Sequence, residues 1–575
     1  MLGAAIGVGA LARSGVAYGA GAGAEGMPAL RRQGTATQLF VDGKPFLILG
    51  GELGNSTASS PETLNAVWPR LAALHANTVL VPVYWELIQP VETGRFEFSS
   101  VARVIEAARQ KGLRVVLLWF GSWKNSMSSY VPAWVKRDGA RFPRAEVAGP
   151  GAAGTGARVG GASGDGPRHM IEALSAFGEE GRAADARAFA ALMRYLRQTD
   201  GSRHTVIMIQ VENEVAMVDE PADRSVAAQH AFTAPVPRDL IERLSSPRPE
   251  QARPERTLVE AWTSHGSRVS GTWAEVFGAG AATEELFMAW HFARYVDAVA
   301  RAGKAEYPLP MFVNAALNRP GARPGQYPSG GPLPHLFDIW RLAAPTIDFL
   351  APDIYLPNFS DWTARYARAD NPLFVPEARN EPDCALRALY AIGAHQAMGF
   401  SPFAIESIDS PTASPLAESY RLLRQIAPLV AQARSQSQEG EGTMTAVLLD
   451  RENPVREVRL GGYRVRLVHD YTWEWSSPAR LGPTWPTAGA LIMNTAPGSY
   501  LLAGSGVIAT FVPDPPAAGA SAPVSGIERI EEGRYEDGKW IAGRRLNGDE
   551  SHQGRHLRLP AGVFGLQRIW LYRGN

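Results

Sequence analysis

Residues 205–214, TVIMIQVENE, pair an apolar run with a cluster of groups able to move protons. Val206, Ile207, Met208 and Ile209 form a stretch too short for a helix and apolar enough for a buried strand. Gln210, Glu212, Asn213 and Glu214 follow at once. Residues 372–379, PLFVPEAR, repeat the form, running through Leu373, Phe374 and Val375 to Glu377 and Arg379. Two carboxyl groups at the tips of two buried strands suit the hydrolysis of a glycosidic bond. One carboxyl protonates the leaving oxygen, and the other attacks the anomeric carbon or activates water. Strand alternation places Glu212 and Glu214 on one side and Asn213 on the other, so alternation alone does not choose between the two glutamates.

Something must hold such tips on one face. Six further stretches read as strands: 38–52 (with an Asp-Gly turn between two short strands), 77–86, 113–120, 309–316, 347–355 and 399–407. Helical patterns at 61–75, 99–111 and 184–198 lie between strands. Eight strands alternating with helices predict a (β/α)8 TIM barrel, an α/β fold whose active site sits at the C-terminal strand ends. Several strands end in polar or aromatic residues: Glu52, Trp85-Glu86, Asn314, Asp353 with Tyr355, and Glu406. No GxGxxG or P-loop follows a strand, which weighs against a nucleotide-binding sheet.

The barrel is expected over 36–432, with insertions at 145–183 (a Gly/Ala-rich lid or loop) and 215–280 (on the active-site face). Residues 433–442 read as a linker. Period-two alternation with frequent turns makes 443–575 an all-β accessory domain. Residues 1–26 read either as a secretory signal, implying a periplasmic or secreted protein, or as a disordered N-terminus.

The 575 residues carry 57 basic and 57 acidic side chains, a balance that points to neither nucleic acid nor an anionic membrane. No stretch is long and apolar enough for a transmembrane helix. The single cysteine, Cys384, excludes a disulfide framework and reads as a buried small residue. His469, His552 and His556 read as surface or packing residues. No spacing demands a metal, and no cofactor is expected.

The chain resembles the family 35 glycoside hydrolases, a β-galactosidase family of retaining barrels, over roughly 38–430. IQVENE (209–214) is similar to that family's acid/base motif, FVPEAR (374–379) to its nucleophile strand, and PVYWELIQP with GRFEF (82–98) to its second-strand signature. VPAWV (131–135) resembles its Pro-x-Trp segment, and 543–559 the accessory domain of a bacterial subgroup. The resemblance implies Glu214 as acid/base, Glu377 as nucleophile and Asn213 as its sugar-binding neighbour. In that clan the two carboxyls sit on the fourth and seventh strands, where the strand count also places them. Glu52, Trp85, Asn125, Asn314 and Tyr355 complete the candidate substrate contacts. Two departures stand out: Pro82 replaces a galactose-contacting tyrosine, and SWKNSMSSY (122–130) offers Lys124 and Asn125 where the family has a Glu. The expected activity is that of a retaining exo-β-glycosidase on a terminal β-galactoside. The alternatives are an arabinopyranoside or xyloside as substrate, or a carbohydrate-binding protein without turnover.

Overall fold

The computed structural model describes residues 26–148, 168–245, 257–438, 442–514 and 524–574. Eight parallel strands form the catalytic-type barrel: Ile48–Leu49, Thr78–Tyr84, Arg114–Phe120, Val206–Val211, Met311–Ala316, Phe349–Ile354, Val375–Ala378 and Gly399–Pro402. They are called the first to eighth barrel strands below. A parallel bridge from Glu52 to Leu80 closes the ring between the first and second strands. It is reinforced by Leu80 N–H to the Gly51 carbonyl at 2.9 Å and Leu53 N–H to the Leu80 carbonyl at 3.0 Å. The strand bodies are buried throughout, as the apolar runs require when helices cover the outside and side chains fill the inside.

The first strand approaches the eighth very closely. A Cβ on Gly50 would lie 2.1 Å from Ser401 Oγ, so the glycine is needed where the barrel closes. The expected Asp-Gly turn is present, with Asp42 and Gly43 both at positive φ between Val41 and Lys44. The helix expected over 61–75 is instead two, Pro61–Asn65 and Trp68–Ala73. The break falls just ahead of Pro69, which has no N–H to bond back into the preceding turn and stands in the first turn of the second helix. The other two helices are Ser99–Gln110 and Glu179–Asp200.

The segment read as a linker begins inside a helix. Pro415–Gln436 runs through Ala433 and Arg434, both buried. Arg434 donates to the carbonyls of Ala397, at 2.6 Å, and Ile392, at 3.3 Å, and that tether holds the helix end against the barrel.

Of the first insertion, Arg144–Ala148 pairs antiparallel with Arg168–Leu174. The second contributes helices Val226–Thr233, Arg238–Ser245, Thr257–Ser264 and Trp273–Phe277. The expected N-terminal signal or disordered stretch lies, but for Gly26, outside the described residues, as do 149–167 and 246–256 of the insertions. No helix among the described residues is long and apolar enough to cross a membrane.

The C-terminal region is all β. A six-stranded sheet (444–449, 488–496, 499–505, 565–574, 524–536, 539–546) faces a four-stranded one (455–460, 463–469, 507–513, 557–559). Leu467, Val465 and Leu557 from one sheet and Ile492, Leu502 and Ile569 from the other share one apolar core. The larger sheet docks on barrel helix Cys384–Ala394, where Ala446, Leu491 and Met493 join the barrel core. Gly393 allows that approach, since a Cβ there would stand 2.7 Å from Ala446 Cβ.

Candidate active site

The fourth strand ends at Val211, and its tip is re-aimed by two residues in the left-handed region, Glu212 (φ 62°) and Glu214 (φ 48°). Left-handed backbone is costly for residues with a Cβ and persists where surrounding contacts impose it. Those contacts come from the loop after the third strand. Trp123 N–H donates to Glu212 Oε2 at 2.8 Å, and Asn213 N–H donates to the Trp123 carbonyl at 3.2 Å. Asn125 N–H donates to Asn213 Oδ1 at 3.3 Å, and Ser126 Oγ donates to the Glu214 carbonyl at 2.7 Å.

The two glutamates therefore part company. Glu212 turns into the wall of the barrel, fully buried, and hydrogen-bonds Asp185. Burial, with the Asp185 carboxylate beside it, pushes Glu212 well above the usual carboxylate range, so it carries the shared proton. Asp185 is held in turn by Trp119 Nε1 at 2.8 Å and by Ser122 N–H at 3.0 Å. Gly121 makes room for this pair, because a Cβ there would lie 2.6 Å from Glu212 Oε1.

Glu214 points the other way, into a group of four carboxyls with Glu52, Asp353 and Glu377. Its N–H donates to Asn314 Oδ1 at 2.9 Å, and Asn314 Nδ2 donates to Asp353 Oδ2 at 2.6 Å. Asn314 thus ties the fourth, fifth and sixth strands together at their tips. Tyr355 OH donates to Glu377 Oε1. Glu52, Asn213, Asn314, Asp353 and Glu377 are all buried, and Glu214 keeps partial exposure.

Charges so close cannot all be ionised. Burial and the neighbouring Glu377 push both Glu52 and Asp353 well above the usual range. Contact with Glu377 on one side and with Glu214 on the other favours the protonated form of Glu52 and of Asp353 respectively. Burial and the Glu377 charge raise Glu214 to about 7. Burial also raises Glu377, against the opposing pull of Lys124, Tyr355 and Glu52.

Most of the expected site residues are therefore brought together: Glu214, Glu377, Asn213, Glu52, Asn314 and Tyr355. Two are not. Trp85 is fully buried away from the carboxyls, its indole N–H facing Gln89 Oε1 at 3.3 Å and its ring set edge-on to Trp134. The second strand ends at Tyr84 and a short helix, Trp85–Ile88, starts there, which turns Trp85 into the core. Asn125 is exposed, and its side chain accepts from Lys124 Nζ. It contributes to the site through its backbone N–H, which holds Asn213. Glu86, at the same strand end as Trp85, lies 3.8 Å from Lys136 and outside the cluster.

Two members were not singled out as site residues from the sequence. Asp353 was visible as a polar strand end. Lys124 was visible only as a departure in a loop, yet it is 6% exposed and its charge acts on Glu52, Glu214 and Glu377. Elsewhere, Cys384 is buried and bonded to the Arg379 carbonyl at 2.7 Å, and burial pushes its thiol up to about 12, which disfavours the thiolate. His469 and His556 are buried packing residues. Among the described residues no cluster of three or more His, Cys, Asp or Glu side chains is arranged to hold a metal ion.

One family model matches, a domain of unknown function (DUF5597), over residues 416–558. It begins inside the last barrel helix and takes in most of the β region, but covers far less than half the chain. No curated protein sequence matches. Among solved structures, the chain is similar to a β-galactosidase from Bacillus circulans sp. alkalophilus, with 13% identity, TM-score 0.45, and coverage of 68% of this chain and 61% of that one. It is also similar to a cold-adapted β-galactosidase from Rahnella sp. R3, with 18% identity, TM-score 0.44, and 68% and 57% coverage. A third is the catalytic domain of a β-amylase from Paenibacillus polymyxa, with 11% identity, TM-score 0.42, and 64% and 94% coverage. The aligned region spans about three-fifths of the length of the first two. At such scores these likenesses carry no weight for the chemistry. The (β/α)8 barrel stands on its own closed ring of eight parallel strands.

Proposed function

We propose that this chain is a retaining exo-β-glycosidase acting on terminal β-galactosides. The observation that carries the reading is the pairing of Glu214 and Glu377, set in one carboxyl cluster at the tips of the fourth and seventh strands and differently partnered. Glu214, raised to about 7 and partly open to solvent, suits a group that gives up a proton and later recovers it from water. Glu377 accepts from Tyr355 and from protonated Glu52, and Lys124 favours its ionised form, which suits a nucleophile.

In the first step Glu377 attacks the anomeric carbon as Glu214 protonates the departing oxygen, giving a glycosyl-enzyme. In the second, Glu214 takes a proton from water, which displaces Glu377 and releases the sugar with its configuration retained. Asn213 Nδ2 is buried with no partner in the protein, an arrangement costing about 1–3 kcal/mol unless a ligand accepts from it. A sugar hydroxyl next to the reacting carbon would satisfy it. The resemblance of IQVENE and FVPEAR to family 35 glycoside hydrolases supports the same roles and suggests galactose.

The test is hydrolysis of nitrophenyl β-glycosides (galactoside, arabinopyranoside, xyloside, glucoside, fucoside), with Glu377→Gln as control. Turnover of the galactoside with retention, lost in the variant, supports the reading. Preference for another pyranoside would mean that Pro82 and Lys124 have rebuilt the pocket. Sugar binding without turnover by the unmodified protein would sink the enzymatic reading.

A further inference from the structure

We infer that Asn55, Tyr84 and Glu406 line a second polar pocket beside the carboxyl cluster, where they take sugar hydroxyls on the side of the ring away from the reacting carbon. The inference rests on the proposed function and adds to it a set of specificity-determining residues. Its first ground is where the side chains point. Gly50 and Glu52 share one face of the first strand, and Glu52 faces into the barrel. A Cβ on Gly50 would lie 3.1 Å from Leu80 Cδ1, so Leu80 points inward as well. Tyr84 ends the same strand four residues on and shares that face. Its ring meets Phe120, its paired residue on the third strand, edge-on at 6.0 Å and stacks on Tyr130 at 5.3 Å. The Lys124 ammonium stands 5.1 Å from the centroid of that Phe120 ring, so Tyr84 belongs to the wall of the barrel mouth.

Glu406 lies in the turn Ile405–Ser407, just past the eighth strand, and leans over the end of the first. Its Oε1 accepts from Gly54 N–H at 2.8 Å and from Thr57 Oγ1. The turn is fastened to the cluster itself, since Ile405 N–H donates to the Glu52 carbonyl at 3.0 Å. The short turn Thr57–Ser59 closes the space, and the Tyr84 hydroxyl lies toward its Ala58 and toward Glu406.

The second ground is what these groups lack. Tyr84 OH, Glu406 Oε2 and Asn55 Oδ1 are each buried with no hydrogen-bond partner, and Tyr84 as a whole is 3% exposed. Protein interiors pair such atoms almost without exception, and a cluster of orphans marks a place where something else binds. The same lack marks Glu52 Oε1, Asn213 Nδ2, Asp353 Oδ1 and Glu377 Oε2 in the site already described. Asn213 stands at the tip of the fourth strand, across the ring of strands from the first, second and eighth. A pyranose whose hydroxyl next to the reacting carbon meets Asn213 therefore turns its far hydroxyls toward Glu406 and Tyr84. The chemistry fits, because a sugar hydroxyl both gives and accepts: Glu406 Oε2 and Asn55 Oδ1 accept, and Tyr84 OH does either.

The test uses two variants. Tyr84→Phe keeps both ring contacts and removes only the hydroxyl. Glu406→Gln keeps an oxygen for Gly54 and Thr57 and puts a donor where Oε2 accepted. Methyl β-galactoside and its 3-, 4- and 6-deoxy derivatives are titrated calorimetrically into Glu377→Gln protein with and without each change, which reads binding without turnover. Each change should weaken binding of the full sugar about tenfold or more. Each should leave the binding of one deoxy derivative untouched, because the hydroxyl it serves is already missing there. In protein with Glu377 intact, kcat/KM on the nitrophenyl glycosides should repeat the pattern, and Tyr84→Phe should not lower Tm. Equal losses against every deoxy sugar would overturn the inference, as would no loss with the full sugar, which leaves the pocket to water. So would a lower Tm in Tyr84→Phe with unchanged sugar binding, the sign of an internal partner for the hydroxyl. Failure of the galactoside to bind at all would overturn the inference and the galactoside reading together. The expected binding pattern without turnover by the unmodified protein would sink the glycosidase reading and leave the pocket standing.

Discussion

Glu212 and Glu214 are two residues apart and chemically identical, and the structure assigns them opposite work. Glu212 is fully buried, carries the proton it shares with Asp185 and accepts from Trp123 N–H through its other oxygen. Glutamine reproduces both contacts, since its NH2 can donate to Asp185 and its oxygen can accept from Trp123. Alanine leaves both groups buried and unpaired. At about 1–3 kcal/mol for each orphaned group, Glu212→Ala should cost roughly 2–6 kcal/mol. With an unfolding entropy of about 2.1 cal/mol/K per residue over about 400 barrel residues, ~4 kcal/mol corresponds to a fall in Tm of ~5 °C.

Glu212→Gln should stay within ~1 kcal/mol of the original protein at acidic pH. The pH dependence gives a second check. The folded protein holds Glu212 protonated above its ordinary value of 4.5, whereas the unfolded chain releases that proton near 4.5. The stability this group contributes is full below 4.5 and is lost as pH rises towards its raised folded value. Glutamine does not titrate, so Glu212→Gln should gain on the original protein from pH 4.5 upward. Thermal unfolding across pH, with turnover measured on the same samples, reads all of this. If Glu212→Gln destabilises as much as Glu212→Ala, or abolishes turnover while Glu214→Gln does not, the assignment is wrong.

Four further outcomes are expected. Glu214 must be protonated to act as acid and sits at about 7, so kcat/KM should fall as pH rises above about 7, and Glu214→Gln should remove that limb in a pH–rate profile. Tyr355→Phe removes a hydrogen bond to the nucleophile; at about 1.5–3 kcal/mol for a bond to a charged group, kcat should drop roughly 10- to 150-fold in steady-state kinetics. Asn314→Ala leaves the Glu214 N–H and Asp353 without their shared partner, and both kcat and Tm should fall, by about 1–3 kcal/mol in stability. Trp85→Phe, a change in the core, should lower Tm while leaving KM for every glycoside unchanged; a selective rise in KM would restore Trp85 to the sugar site.

The alternation of apolar runs with amphipathic helices is a local signal, and the sequence alone was enough to mark eight barrel strands, a β region after them, and polar groups gathered at the strand tips. Glu52, Asn213, Glu214, Asn314, Tyr355 and Glu377 were all legible this way, because a strand body in a barrel core must be apolar and its C-terminal end need not be. What the side chains do past the last strand residue was not legible. The direction of Glu212 against Glu214 depends on left-handed backbone imposed by Trp123, Asn125 and Ser126, some 90 residues earlier in the chain. Trp85 reads like a strand-tip platform until a short helix turns it inward. Asp353 and Lys124 gain their meaning from neighbours on other strands, since the proton on a buried acid is set by every charge around it and not by the residues beside it in sequence.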